Sequence, residues 1–312
     1  MTQAAGLWDQ FTVLLASPMT QRSLLAALIV GVAAPVIGTY LVQRRLSLLG
    51  DGIGHVALTG VAMGWLVGAA TGATDLAAYA VPGAMVAAIA GAVLIEVVRA
   101  RGQASGDVAL ALLFYGGIAG GVVIIGLAGG TNANLMAYLF GSLATVSSAD
   151  LLVTVVMSAG ILAVGLGLRT ALFAVCQDEE FARSTGLPVR AMTILIAVVA
   201  ALTVTVAMRV VGLLLVSALM IVPVAVAQLI TSSFHRTMVL AMGIGALVCV
   251  SGLTITFFHR LAPGAMIVVV AIALYAVVAV VRPLVRARRP RPGPVHPRVA
   301  DDVRLQPVSQ ER

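Results

Sequence analysis

The side chains best suited to chemistry in this sequence are Asp51 and His55, which stand four residues apart where an apolar run begins. At that spacing on an α-helix, two side chains lie on the same face. A carboxylate oxygen beside an imidazole nitrogen is half of the ligand set of a first-row divalent metal. Two ligands bind weakly, and the twofold axis of a homodimer would supply a second pair. Spacing alone leaves a structural alternative, in which Asp51 caps the helix and His55 hydrogen-bonds to a neighbouring span.

The elements that must position this pair are membrane-spanning helices. Apolar residues make up 61% of the 312-residue chain and charged residues 10%, against roughly 45–50% and 25% in soluble proteins. Because about 20 apolar residues cross a bilayer, the sequence predicts an all-α, polytopic membrane protein with about nine spans, eight being the alternative count. The candidate spans are 23–42, 53–70, 76–96, 108–128, 150–172, 190–208, 211–230, 237–257 and 264–282.

Basic residues exclude some functions and orient the chain. All 19 are arginine, so the chain has neither the lysine of a P-loop nor a Schiff-base lysine, and we expect no enzyme activity. Most arginines fall on one side of the membrane if the N-terminus is outside and the C-terminus is cytoplasmic. Seven of them stand in the tail after residue 285, opposed by three acids, so the net charge of +7 does not indicate nucleic-acid binding.

The chain divides into three segments. Residues 1–21 form an N-terminal interfacial segment, in which 7–17 are predicted to be a short amphipathic helix. Residues 22–283 form the transmembrane domain, and within it 129–149 is predicted to be re-entrant or interfacial. Residues 284–312, rich in proline and arginine, are expected to be a disordered cytoplasmic tail.

Other charged residues have simpler interpretations. Asp150 stands at a predicted span start, where an acid can cap a helix. Glu96 stands three residues before Arg99 at the inner end of a span and is expected to pair or snorkel at the interface. His259 and Arg260 follow the eighth span and are interpreted either as interfacial anchors or as part of an outer gate.

A second polar cluster occupies 177–190, QDEEFARSTGLPVR. Three acids precede an apolar Phe181-Ala182 pair, and a glycine and a proline follow, which predicts a short helix on the arginine-rich side. Two interpretations stay open at this point: a solvated loop, or a docking helix for a cytoplasmic partner.

Four motifs in order make the sequence similar to a known family. They are QRRLSLLGDGIGHVALTGVAMG (43–64), NANLMAYLFGSLATVSSADL (132–151), QDEEFARSTGLPV (177–189) and RVVGLLLVSALMIVPVAVAQLI (209–230). The sequence resembles, over roughly residues 20–283, the membrane permeases of zinc, manganese and iron ABC importers. In one departure, Arg260 stands where the family usually has an acid before a Pro-Gly, so the chemistry of the outer gate is the part that the resemblance supports least.

The resemblance implies a fold like that of type II ABC importers and a permease in the plasma membrane of a bacterium. It implies a homodimer in contact with membrane lipid, a cytoplasmic ATPase dimer, and an extracellular or periplasmic protein that delivers the metal. No cofactor is implied, and the transported manganese, zinc or ferrous ion would meet Asp51 and His55. It also implies a coupling helix at about 178–187. The residues given that role are Asp178, Glu179, Glu180, Phe181, Ala182 and Gly186.

Two alternatives have a different cargo or energy source. An ABC permease for iron-siderophore or cobalamin would have a wide pore without an ionisable pair in its second span, so Asp51 and His55 disfavour it. A proton-coupled secondary transporter would use the same two residues without any ATPase, and the 177–190 motif disfavours it.

Overall fold

The computed structural model describes residues 16–73, 77–102, 106–127, 146–258 and 261–287. The regular elements in these ranges are helices. They are α1 (Pro18–Gln43), α2 (Leu49–Ala70), α3 (Ala77–Ala100), α4 (Gly106–Leu127), α5 (Ser148–Gly167), α6 (Arg169–Gln177), α7 (Glu179–Ser184), α8 (Val189–Val211), α9 (Leu213–Ile230), α10 (Phe234–Phe258) and α11 (Pro263–Ala287).

Each of the nine predicted spans overlaps a helix, and the all-α prediction is confirmed. In the described part of the chain, eight helices are long and apolar enough to cross a membrane, and α9 contributes a shorter apolar stretch, Leu215–Ile230. The alternative count of eight therefore matches the length criterion. The counts of nine and eight differ only in whether the shorter helix α9 is included.

The centre of the bundle is α1, which packs against α5, α8, α9 and α10. Close packing there depends on small residues: a Cβ on Gly31 would lie 2.8 Å from the backbone oxygen of Gly245 in α10. Small residues let helix backbones approach in a membrane, where lipid removes most of the hydrophobic drive for association. Beside this core, α2 lies between α3 and α4 and also contacts α8 and α9.

Several boundaries differ from the prediction. Helix α1 starts at Pro18 rather than 23, so 18–21 of the predicted interfacial segment are helical. The span predicted over 150–172 ends at Gly167, because Leu168 leaves helical geometry and α6 starts as a separate short helix that buries Leu172 and Val175. Helix α2 starts at Leu49 rather than 53, so Asp51 lies within its first turn. Helix α11 continues to Ala287, so 284–287 of the predicted tail are helical.

Several predictions concern residues outside the described ranges. They are residues 1–15 of the interfacial segment, 129–145 of the re-entrant segment, His259 and Arg260, and the tail from 288 onwards.

Candidate cation site and coupling segment

Asp51 and His55 lie in the first two turns of α2 and share one face, as their spacing predicts. Asp51 Oδ1 and His55 Nε2 are 4.0 Å apart, too far for a direct hydrogen bond. The N-cap of α2 is Leu48, and the helix has no side-chain cap. The helix-capping interpretation of Asp51 therefore does not match the structure.

The carboxylate of Asp51 is held instead by a residue from another helix. Ser217 Oγ, on α9, donates a hydrogen bond of 3.0 Å to Asp51 Oδ1. Sequence reasoning missed Ser217, because 166 positions separate the two residues and no local pattern joins them. The hydroxyl orients one carboxylate oxygen of Asp51. The other oxygen has no hydrogen-bond partner in the described part of the chain.

His55 is enclosed by α4. The ring of Phe114 meets its imidazole edge-on, with centroids 4.6 Å apart. A Cβ on Gly117 would lie 2.7 Å from the backbone of His55, so only glycine permits this approach of α4 to α2. The side chain of His55 is 9% exposed.

One nitrogen of His55 has unused hydrogen-bonding capacity. Its Nδ1 is buried and has no hydrogen-bond partner among the described residues. Leaving a buried polar atom unsatisfied costs about 1–3 kcal/mol. The site therefore keeps a polar group that packing would not favour. Through Nδ1, therefore, His55 makes no hydrogen bond to a neighbouring span within the described chain, and this nitrogen does not support the other structural alternative.

The donor atoms at this place are of types that bind divalent cations. The site offers a 27% exposed carboxylate and an imidazole, which are ligand types of manganese, zinc and iron, and a hydroxyl that orients the carboxylate. Two zinc ligands in tetrahedral geometry have atoms about 3.4 Å apart, somewhat closer than the 4.0 Å between Oδ1 and Nε2. The described residues contain no group of three or more His, Cys, Asp or Glu side chains able to hold a metal.

A neighbouring groove of about 900 Å³ between α2, α3 and α4 is apolar. Val56, Thr59 and Gly117 line its end near His55, but neither Asp51 nor His55 lines it. The groove therefore offers no ligand set for a cation.

The predicted coupling segment, residues 178–187, contains the short helix α7. Asp178 is its N-cap, and Oδ1 accepts hydrogen bonds from the backbone N–H of Glu180 and Phe181 at 2.9 and 3.0 Å. Gly186, with φ of +83°, ends it. There Leu187 N–H donates to Ala182 O, which is a Schellman stop. Asp178 and Gly186 therefore define the two ends of the helix.

The residues between these ends face two ways. Ala182 is fully buried beside Val175 and Val189 and anchors α7 to the adjoining helices. Phe181 is 62% exposed and Glu180 is also exposed. The segment therefore presents an aromatic ring and a carboxylate on a helix whose position is set by its own caps and anchor.

The remaining predicted groups have mixed outcomes. Asp150 forms a capping box with Ser147 at the start of α5, which confirms the capping prediction. Glu96 pairs with Arg99 at 3.1 Å, which confirms the pairing prediction, and additionally with Arg44. His259 and Arg260 lie outside the described residues, so the outer gate stays a prediction.

The fold is that of a multi-pass membrane protein. The family model of the ABC 3 transport family matches residues 16–282. The chain therefore belongs to that family and is the membrane permease of an ABC transporter. Hydrolysis of ATP in such a transporter falls to a separate subunit, in agreement with the lack of lysine in this chain.

Relatives and a solved structure agree with that assignment. The chain is 31% identical over 266 residues to the manganese transport system membrane protein MntC of Halalkalibacterium halodurans, covering 85% of this chain and 88% of the relative. It is 31% identical over 266 residues to the chelated iron transport system membrane protein YfeD of Yersinia pestis, covering 85% and 86%. The structure of PsaBC from Streptococcus pneumoniae in complex with Fab gives a TM-score of 0.76 at 28% identity, covering 88% and 95%. With its spans, the chain is a multi-pass protein of the bacterial plasma membrane.

Proposed function

We propose that this chain is the permease subunit of an ATP-driven importer for a divalent transition metal, namely manganese, zinc or ferrous iron. The observation that carries the proposal is the Asp51–His55 pair. A carboxylate and an imidazole lie 4.0 Å apart at the start of a membrane-spanning helix, and among the described residues the imidazole has a buried nitrogen without a hydrogen-bond partner. Ionisable groups inside a membrane are costly and accordingly mark ion pathways.

The incomplete ligand set supports a transient, dimeric site. Each protomer provides one carboxylate, one imidazole and the hydroxyl of Ser217, and a twofold axis would bring a second set. A transported ion must also leave, so a site of modest affinity suits an importer better than a closed cage of four ligands. An extracellular metal-binding protein would deliver the ion at the outer face.

The coupling segment supports a cytoplasmic ATPase partner. Phe181 and Glu180 are exposed on a helix that Ala182 anchors. An aromatic anchor next to a charge is the kind of protrusion that fills a pocket on a partner protein. Closure of an ATPase dimer would move this helix and switch access to the pair in the membrane.

The two alternative functions are supported to different degrees. Membership of the ABC 3 transport family removes the main support for a proton-coupled secondary transporter. An iron-siderophore or cobalamin permease is disfavoured by a pair suited to a bare cation, and it becomes an outcome of the experiment.

The test is uptake by the complete complex in proteoliposomes, measured by elemental analysis. We expect ATP-dependent accumulation of at least one of manganese, zinc and iron as free ions. Omission of the ATPase subunit should abolish accumulation. Accumulation of a siderophore or cobalamin alone, or full uptake without the ATPase, would contradict the proposal.

Docking is tested separately with Glu180→Arg, which reverses the exposed charge of α7. We expect loss of metal-stimulated ATP hydrolysis in the assembled complex, because the reversed charge repels or no longer engages the partner surface. Unchanged stimulation would refute the docking role of 178–187. Arg101→Gln, a charge change at the end of α3, is the matched control and should keep wild-type stimulation.

A further inference from the structure

Three ion pairs form a connected chain of contacts from the coupling segment to the ends of two spans, α1 and α3. Arg44, at the end of α1, contacts Glu179 of α7 at 3.0 Å through Nη2 and Glu96 of α3 at 3.4 Å through Nη1. Glu96 also accepts from Arg99 at 3.1 Å. Beside them, Gln43 Nε2 donates to Gln177 Oε1 at 2.7 Å. We call Arg44, Glu96, Arg99 and Glu179 the arginine network.

The side chains of the arginine network are mostly buried at the ends of the spans and partly exposed on α7. The side chains of Arg44 and Glu96 are each 6% exposed, whereas Glu179 is 49% exposed. Truncating one member of a buried ion pair leaves the other charged and unpaired, so such pairs constrain geometry strongly. The guanidinium of Arg44 can engage two carboxylates at once because its donors form a rigid fork.

The turn after Arg44 has an unusual backbone conformation. Arg45 has φ of +57°, unusual for a residue with a side chain. Its N–H donates to Val42 O at 3.1 Å, and Leu46 N–H donates to Leu41 O at 2.8 Å. This is a Schellman motif with arginine at the position that usually carries glycine. A strained backbone persists where the surroundings over-determine it, so the turn is stiff.

The same turn leads directly to the candidate cation site. Helix α2 begins at Leu49, and Asp51 lies in its first turn. Leu49 N–H donates to Leu46 O at 2.9 Å, which ties the turn to the start of α2. Seven positions of chain, held by these hydrogen bonds, therefore separate Arg44 from Asp51.

We propose that Arg44 is a positioning residue that links the movement of α7 to the Asp51–His55 pair through Glu179, Glu96 and the turn 44–48. The inference rests on the proposed function of the coupling segment. It assigns the two acids of α7 different roles: Glu180 faces the partner, and Glu179 faces the permease. Loss of the link should let ATP be hydrolysed without productive movement of the ion.

The test measures manganese transported per ATP hydrolysed in proteoliposomes that contain the complete complex. Arg44→Gln and Glu179→Gln should each lower this ratio about tenfold. The double variant should show no further loss, since both substitutions break the same contact. Arg44→Lys, which keeps the charge, should restore part of the ratio. Arg101→Gln, outside the network at the end of α3, should keep the wild-type ratio.

Two results would overturn the link. One is a wild-type ratio in Glu179→Gln. The other is a double variant about 100-fold below wild type, the product of the single effects, which would mean that Arg44 and Glu179 act independently.

A second measurement, of cysteine alkylation, tests the link without depending on which substrate the transporter moves. Ser217→Cys places a thiol beside Asp51, and its alkylation rate should change at least threefold on addition of ATP when the link is intact. Adding Glu179→Gln should remove this ATP response, and a retained response would overturn the link. If the wild-type complex moves no metal but the ATP response depends on Glu179, the metal proposal fails and the link stands.

Discussion

Removal of the Ser217 hydroxyl should weaken the metal site without dismantling the fold. In Ser217→Ala, Asp51 Oδ1 loses the 3.0 Å hydrogen bond that orients it. A hydrogen bond to a charged group contributes about 1.5–3 kcal/mol, and each 1.4 kcal/mol is about tenfold in affinity. Because the carboxylate is 27% exposed and water can replace part of the bond, we expect the lower end, about a tenfold rise in the KM for manganese uptake. Loss of partners that orient metal ligands commonly costs about 10–100-fold.

The assay is initial-rate uptake of manganese by the reconstituted complex over a range of concentrations. Ser251→Ala is the matched control, because Ser251 Oγ donates within its own helix to Leu247 O at 2.7 Å. The double variant Asp51→Asn/Ser217→Ala should be no worse than Asp51→Asn alone, since the hydroxyl acts through that carboxylate. A KM within twofold of wild type, or an equal shift in Ser251→Ala, would refute the reasoning.

Three further predictions concern packing and reactivity. Gly117→Ala should lower metal uptake, because its Cβ would lie 2.7 Å from the backbone of His55, whereas Gly116→Ala meets nothing within 4 Å and should transport normally. Ala182→Leu should reduce the ATPase that co-purifies with the permease, because overpacking the fully buried anchor of α7 costs about 1–3 kcal/mol; unaltered recovery would contradict this anchor. Burial raises the pKa of the Cys176 thiol to about 12, so little reactive thiolate forms at pH 8 and N-ethylmaleimide should label the native protein slowly; rapid labelling would contradict the raised pKa.

The sequence predicts the elements well because their signals are local. Apolar runs of about 20 residues mark the spans, and Asp178 and Gly186 mark the ends of α7 through capping rules. The i, i+4 spacing likewise predicts that Asp51 and His55 share a face. The break after Gly167 was missed, because the apolar run continues through Leu168 while the helix does not.

The partners of the site residues could not be predicted, because tertiary packing sets them. Ser217 reaches Asp51 across 166 positions, and Phe114 reaches His55 from a different span. The contact of Arg44 with Glu179 spans 135 positions. A single sequence carries no periodicity that relates such pairs, so only the fold brings them together.

The most direct test of the account is metal uptake by the complete complex when the pair in α2 is removed. Asp51→Ala and His55→Ala should each abolish ATP-dependent accumulation of manganese, zinc and iron, as measured by elemental analysis, while the subunits still assemble. Because the two side chains are the acid and the imidazole of one site, the variants should fail alike. Wild-type accumulation in either variant would contradict the claim that an ion passes through this pair.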